Sequence, residues 1–524
     1  GKASLVDTFC FINNGVKIFA MGANYIPEDQ IVTRCNEEKT RKLLADCKAA
    51  NYNFIRVWGG GYYPDGYFYD YCDENGIIVW QDFMFACSAY LLTEEFEETV
   101  RGEVRDNVIR LRNHPSLGLW CGNNEIESAW EYWGLPEDEE AKRDYLIIFE
   151  DIIPQVLKAY DPCENTFYWP SSPSSGGGFK DASSNHAGDM HYWDVWHNFK
   201  PIEAFREFYY RFCSEYGFES LPDIKTCRAF ADETKGDFDL CSPVMEAHQK
   251  CVQGNEKIMY YLAQMVRYPY DFKQLIYSSQ LVQADCIRSN VEHMRRARGR
   301  CMGSAYWQVN DSNPVISWSS IDYFGRWKGL HYYAKRFYAP CLISCDDTHR
   351  KKPVLNISNE RMTAFEGVVK WTLRNNKAEI LQSGEKSVNV PALTAQNVLT
   401  IDLSDELKNR TDPREKYLEY SIMENGKVLS FGTTLFVRPK EFTFLEPVIT
   451  YGISESEDKF ALTFCAENYA KSVCLSLKTA DCVFSDNWFD IHGKEPVTIM
   501  IDKASLSRKM TAQELSEELE IMHN

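Results

Sequence analysis

Between Ile18 and Trp307 the chain alternates short apolar runs with longer amphipathic stretches, and few folds accept that pattern for so long. The strand-like runs are Ile18–Gly22, Asn53–Trp58, Ile77–Trp80, Leu117–Cys121, Thr166–Trp169, Asp189–Trp193, Tyr210–Cys213 and Ser304–Trp307. Helical spacing is read over Glu37–Ala50, Tyr67–Glu74, Glu94–Leu111, Asp144–Ala159, a short Glu203–Phe208, Met259–Val266 and Leu275–Arg295. The stretch Glu94–Leu111 has acids at its start and Arg105, Arg110 and Arg112 late, which suits the helix dipole. His114-Pro115 then stops it. Eight strand candidates, mostly separated by helices, predict a (β/α)8 TIM barrel rather than a doubly wound sheet, which usually has fewer units.

The pattern changes after about residue 345. Runs at Val354–Ile357, Phe365–Leu373, Ser387–Val390, Val398–Leu403, Tyr417–Ile422 and Thr434–Val437 read as a β-sandwich. Residues 447–502 repeat the style, and a short acidic segment, Thr511–Ile521, closes the chain. The expected domains are therefore 1–345, a barrel with a short lead-in, then 346–440 and 441–524, one or two all-β sandwiches. Residues 1–17 read as an edge segment, with a hairpin turn at Asn13-Asn14-Gly15.

Two glutamates follow predicted barrel strands. Glu125 ends Leu119-Trp120-Cys121-Gly122-Asn123-Asn124-Glu125, and Glu215 ends Tyr209-Tyr210-Arg211-Phe212-Cys213-Ser214-Glu215. A carboxylate just past a buried strand is either tied up locally or working. Glu125 would cap the next helix in the first case. At the C-terminal rim of a barrel, after strands four and seven, the pair suits an acid/base and a nucleophile for glycosidic bonds. Asn124, Trp58 and Trp307 also sit at strand ends, where sugar contact competes with rim bracing and core packing. Asn24 and Asp82 would bind hydroxyls or brace the acids. The block His186–His197, with His191 and Trp193, reads as a substrate rim at strand six. Its histidines fit no zinc spacing. Gly176-Gly177-Gly178 lacks the ending of a phosphate loop and reads as a mobile rim loop.

Composition narrows the partners. A formal net charge of −19 argues against nucleic acid, and no long apolar run suits a membrane span. The 13 Trp and 30 Tyr serve either a large core or a sugar cleft. The 18 cysteines contain no CxxC pair and suggest a reducing, cytoplasmic setting. With 10 His and no HExxH, no catalytic metal and no cofactor are expected. The chain opens Gly1-Lys2-Ala3-Ser4 with no initiator Met, as if cut from something longer.

Six separated blocks resemble the β-mannosidases of glycoside hydrolase family 2: Gly22–Asp29, Arg56–Gly61, Trp80–Cys87, Trp120–Glu125, Ser214–Phe218 and Trp318–Tyr323. The resemblance covers the barrel and extends into the sandwich behind it. It implies a retaining exo-enzyme removing terminal β-D-mannose from manno-oligosaccharides or N-glycan cores, and immunoglobulin-like sandwiches. Glu125 matches the acid/base, Glu215 the nucleophile, and Asn124 the residue holding the sugar 2-hydroxyl. Trp58, Trp133 and Trp307 match the lining of the −1 subsite. Arg56 or Arg211 would favour the charge on Glu215, while burial and the field of Glu215 would raise the pKa of Glu125. Family members carry a jelly roll and a first immunoglobulin-like domain upstream. The expectation is a fragment or processed chain, or a partner polypeptide that supplies those domains and helps close the pocket. The competing readings are another retaining β-glycosidase of the clan and a noncatalytic glycan-binding fragment.

Overall fold

A computed structural model describes residues 9–135, 138–163 and 167–524. The expected lead-in before residue 9 and the first residue of the strand expected at Thr166–Trp169 lie outside these. Among the described residues no helix is long and apolar enough to cross a membrane.

Eight parallel strands form one sheet: β1 Ala20–Tyr25, β2 Phe54–Val57, β3 Ile78–Asp82, β4 Leu117–Cys121, β5 Tyr168–Trp169, β6 Met190–His191, β7 Cys213–Glu215 and β8 Gly303–Tyr306. Their order is β5-β4-β3-β2-β1-β8-β7-β6, so first and last strands pair and the sheet curls on itself. Between β5 and β6 no ladder forms. A bridge from Ser174 to Asp189 and a Trp169 Nε1–H···Oδ1 Asp189 hydrogen bond of 2.8 Å join that seam. All eight expected strands are present, shifted by a few residues. The shift matters at β7, where Glu215 is the last strand residue rather than one beyond it.

Sequence-local chemistry sets the helices between strands. Asn36 caps Glu37–Ala49 by accepting from Lys39 N–H, and Thr93 caps Glu94–Leu111 by accepting from Phe96 N–H. Glu94, Glu95 and Glu97 fill the first turn of the second. The expected helix Asp144–Ala159 is instead three pieces, Glu139–Leu146, a π-helical turn Ile147–Ile152, and Ile153–Tyr160.

Large aromatics fill the barrel interior. Phe54, Trp80, Trp169 and Phe212 are buried together with Leu119, and Phe9 and Phe11 join them from the lead-in. Phe9 stands 4.9 Å from Trp169 and 5.6 Å from Phe212 between ring centroids, and Phe11 stands 5.5 Å from Phe54. The lead-in is thus no edge segment. It is a hairpin, Phe11–Asn13 against Val16–Ile18, whose rings plug the N-terminal end of the barrel. Asn14 and Gly15 both take positive φ, as a two-residue primed turn requires. At Gly118 even a methyl group would meet the Phe11 ring.

The chain divides into two compact units, Gly1–Gly217 with Ala297–Asn313, and Phe218–Arg296 with Pro314–Asn524. The first holds the sheet. The second holds the helices Gly254–Met265, Phe272–Arg296 and Gly329–Phe337 and all the antiparallel sheets that follow. A three-stranded sheet (Cys341–Asp346, Val354–Asn359, Thr394–Thr400) and a four-stranded one (Phe365–Asn375, Ile380–Val390, Lys416–Glu424, Lys427–Leu435) share a core of Ile343, Ile357, Val369, Leu373, Leu418 and Ile422. Two further three-stranded sheets occupy residues 450–522. Trp488 is buried and stacks on Tyr277 at 4.9 Å.

Candidate active site

Arg56 is the hub of the C-terminal rim. It ends near the top of β2, fully buried. Its Nη2–H groups donate to Asp82 Oδ2 (2.8 Å) and Asn124 Oδ1 (2.7 Å), and Nη1–H to Asn24 Oδ1 (2.8 Å) and Glu215 Oε1 (3.0 Å). A guanidinium presents several donors in one plane, so one residue can fix side chains from four strands or strand ends. Burial pushes the Arg56 guanidinium toward losing its proton, but Asp82 and Glu215 outweigh that and raise its pKa. The guanidinium that pairs with Glu215 is thus that of Arg56. Arg211 donates instead to the His186 carbonyl at 3.2 Å.

Asp82 and Asn24 hold the hub. Asp82 also accepts from Trp80 Nε1–H (2.8 Å) and Gly59 N–H (3.0 Å). Asn24 donates to the carbonyls of Ser214, Ala305 and Tyr306. Both side chains are fully buried, which favours bracing over sugar contact.

Glu215 is nearly buried. Its second oxygen accepts from Trp193 Nε1–H at 3.1 Å and lies 3.4 Å from His191 Nδ1. The same His191 nitrogen is 2.7 Å from Glu125 Oε1. One oxygen of each glutamate and this nitrogen all lie within 4.8 Å of one another. They have the spacing to hold a metal ion, as do Asp70, Asp73 and His114 elsewhere on the barrel. Glu125 itself takes a left-handed backbone, φ 62°, and its N–H is anchored on the Ser172 carbonyl at 2.8 Å. The Glu125 side chain is 15% exposed and that of Glu215 5%, so Glu125 faces the open mouth. The helix Ile126–Tyr132 is capped by no Glu125 side-chain bond.

The proton balance differs from the expectation. Burial pushes the Glu125 carboxyl up, but the His191 hydrogen bond and charge, with Arg56, hold it below the usual range. Glu215 is raised, chiefly by burial, against the pull of His191 and with the charge of Glu125 adding. Burial disfavours a charged His191, yet the two carboxylates outweigh it and raise its pKa. The imidazole, unforeseen as a partner of either acid, is what reverses the direction at Glu125.

Behind His191 lies a buried chain. Its Nε2 is 3.1 Å from Ser172 Oγ, which donates to Asp189 Oδ2 at 2.6 Å. Asp189 also accepts from Trp169 Nε1–H, Ser174 N–H and Ser214 Oγ–H. Ser171, Ser172 and Ser174, which lead into the Gly176-Gly177-Gly178 stretch expected to be a mobile rim loop, are fully buried. Later amides are held by carboxylates, Phe179 N–H by Glu127 (3.0 Å), Gly178 N–H by Glu150 (2.7 Å) and Ala182 N–H by Glu131 (2.7 Å). Burial pushes the Glu127 carboxyl up to about 7, with contacts from Ser174 and the Phe179 amide only partly offsetting it. A raised acid stabilises the fold at low pH, and that stability is lost as pH rises through about 7. The contribution is about 3 kcal/mol. Melting temperatures are expected to fall between pH 5 and 8, and Glu127→Gln to flatten that fall. An equal slope in both proteins contradicts the assignment.

The tryptophans separate. Trp58 and Trp307 are half-buried and meet edge to face at 4.9 Å, with Trp307 directly after β8. The Trp307-Gln308 peptide bond is cis. Trp193 joins the acids directly. Trp133 stands 50% exposed at the end of the helix that follows Glu125.

A curled eight-stranded parallel sheet with two carboxylates at its C-terminal mouth is an arrangement on which glycoside hydrolysis can be built. Residues 352–441 match the family described as Mannosidase Ig/CBM-like domain, and 444–524 match an Ig-fold domain. The chain is 33% identical over 517 residues to β-mannosidase B of Aspergillus fumigatus, covering 92% of this chain and 60% of that protein. It is 35% identical over 359 residues to β-mannosidase of Capra hircus, covering 64% and 40%. The crystal structure of β-D-mannosidase from Dictyoglomus thermophilum superposes with a TM-score of 0.90 at 31% identity, over 98% of this chain and 61% of that one. The chain thus carries a β-mannosidase-like barrel domain, followed by immunoglobulin-like sandwich domains. It spans about 60% of the length of the first fungal relative.

Proposed function

We propose that the protein is a retaining exo-β-mannosidase, releasing terminal β-D-mannose from manno-oligosaccharides or N-glycan cores. The observation that carries the mechanism is the short separation of Glu125 and Glu215, within 4.8 Å between ligand oxygens. It suits the roughly 5–5.5 Å of retaining enzymes, not the about 6.5–9.5 Å that leaves room for water in inverting ones. Position supports the following roles. Glu215, paired with Arg56, attacks the anomeric carbon. The bond to the leaving oxygen breaks, and that oxygen takes a proton from Glu125 at the mouth. His191, whose pKa the two carboxylates raise, stands 2.7 Å from Glu125 and is placed to return that proton to it. In the second step Glu125 takes a proton from water, whose oxygen attacks the same carbon and frees Glu215. Trp58, Trp307, Trp133 and Asn124 would contact the sugar.

Two parts of the reading extend past the site. Closure of the pocket by a segment outside this chain rests on the family resemblance. A cytoplasmic setting is supported by all 18 cysteines being free thiols. A panel of aryl β-glycosides tests the specificity. The β-mannoside is expected to be turned over best, and clearly greater turnover of a galactoside, glucuronide or glucosaminide would defeat the claim.

A further inference from the structure

We infer that Cys87 is a positioning residue for the acid/base, its thiol holding the Asn124 amide and the Glu125 carboxylate in one orientation. This rests on the proposed hydrolytic role of Glu125. The thiol stands between the two groups with matching polarity. Asn124 Nδ2–H donates to Sγ at 3.4 Å, and Sγ–H is directed to Glu125 Oε2 at 3.8 Å. His191 occupies the other Glu125 oxygen, so the thiol engages the one left facing the mouth. The same thiol therefore joins the carboxylate to an amide that Arg56 holds from its other end.

The backbone is shaped to bring the sulfur there. Past β3 the chain continues alongside the end of β4. Asn124 N–H donates to the Phe85 carbonyl at 2.9 Å, and Cys87 N–H to the Asn124 carbonyl at 3.0 Å. Ala86 and Asn124 form a parallel bridge. Cys87 then turns with φ 52°, a left-handed value uncommon for a residue with a side chain. Cys87 and Glu125, the ends of two neighbouring strand extensions, both adopt that conformation. Burial, with the charge of Glu125, pushes the thiol up to about 12, so it remains an S–H donor across the working range. It is nonetheless exposed at the mouth and open to small reagents.

Losing the donor destabilises the ionised form of Glu125, and the proton is held to higher pH. Cys87→Ala is expected to move the alkaline limb of the kcat/KM profile upward. It should also cost about 10-fold or more on aryl β-mannosides with poor leaving groups, and much less on activated ones. Cys87→Ser, which keeps a donor-acceptor group, should restore most of the loss. A loss equal for all leaving groups with an unmoved limb would show a merely structural residue and overturn the proposal. These ratios are read on whichever aryl β-glycoside the unaltered protein cleaves best, so a failed mannoside assignment leaves them interpretable. A readout independent of turnover is the rate of iodoacetamide alkylation, resolved to Cys87 by peptide mass spectrometry. Glu125→Gln removes the adjacent charge and should speed alkylation of Cys87 several-fold at pH 8, leaving exposed Cys163 and Cys241 unchanged. An unaltered Cys87 rate would mean that sulfur and carboxylate do not interact.

Discussion

Replacing Glu215 with alanine should abolish the covalent glycosyl-enzyme and lower turnover by about five to six orders of magnitude. Intact-protein mass spectrometry with a fluorinated mannoside provides the check. The unaltered protein gains one sugar at Glu215, and the variant gains none. Glu125→Ala behaves differently. It should lose most on poor leaving groups, and on an activated substrate azide should restore turnover and yield a β-glycosyl azide. Azide enters from the β face of the intermediate and needs no base. Label on Glu125, or an α-azide from Glu125→Ala, reverses the assignment.

The second large effect is expected at Arg56. Arg56→Met leaves Asp82 and Glu215 as buried carboxylates without their cation, a change that typically costs about 3–5 kcal/mol. Glu215 then holds its proton more tightly, so the acid limb of activity moves to higher pH. Adding Asp82→Asn removes one orphaned charge and should recover part of the stability but not the shift in the limb, because Glu215 still lacks its partner. Thermal melts and kcat/KM profiles of the three proteins separate these effects. Full stability in Arg56→Met would mean the hub contributes little to folding.

The parts legible in the sequence were those that repeat or that end a pattern. Parallel strands buried on both faces read as apolar runs, and Glu125 closes such a run, so both the barrel and its acids stand out. Arg56, Asn24 and Asp82 are likewise visible as polar residues at strand ends, though only geometry joins them. His191 lies in an aromatic block that suggests a rim, and nothing in the spacing says it bridges two acids 66 and 24 positions away. Ser172 and Asp189 look like loop polarity until the seam beside β5 and β6 buries them. Cys87 carries a weak signal, ending the block after β3 much as Glu125 ends the one after β4. Phe9 and Phe11 have the alternation of an edge hairpin, and only three-dimensional closure turns their rings inward.

Those two rings make the barrel a blind cup. Aromatic packing fills its floor, so the departing aglycone and the water of the second step share one doorway at the top. Under the proposed double displacement, deglycosylation would wait on that doorway clearing. Any small alcohol present at that moment competes with water for the same sugar-bound intermediate. On the proposed function, the partition between hydrolysis and transfer would depend on traffic at the rim, where Trp58, Trp307 and the Cys87 thiol stand, as well as on the chemistry below it.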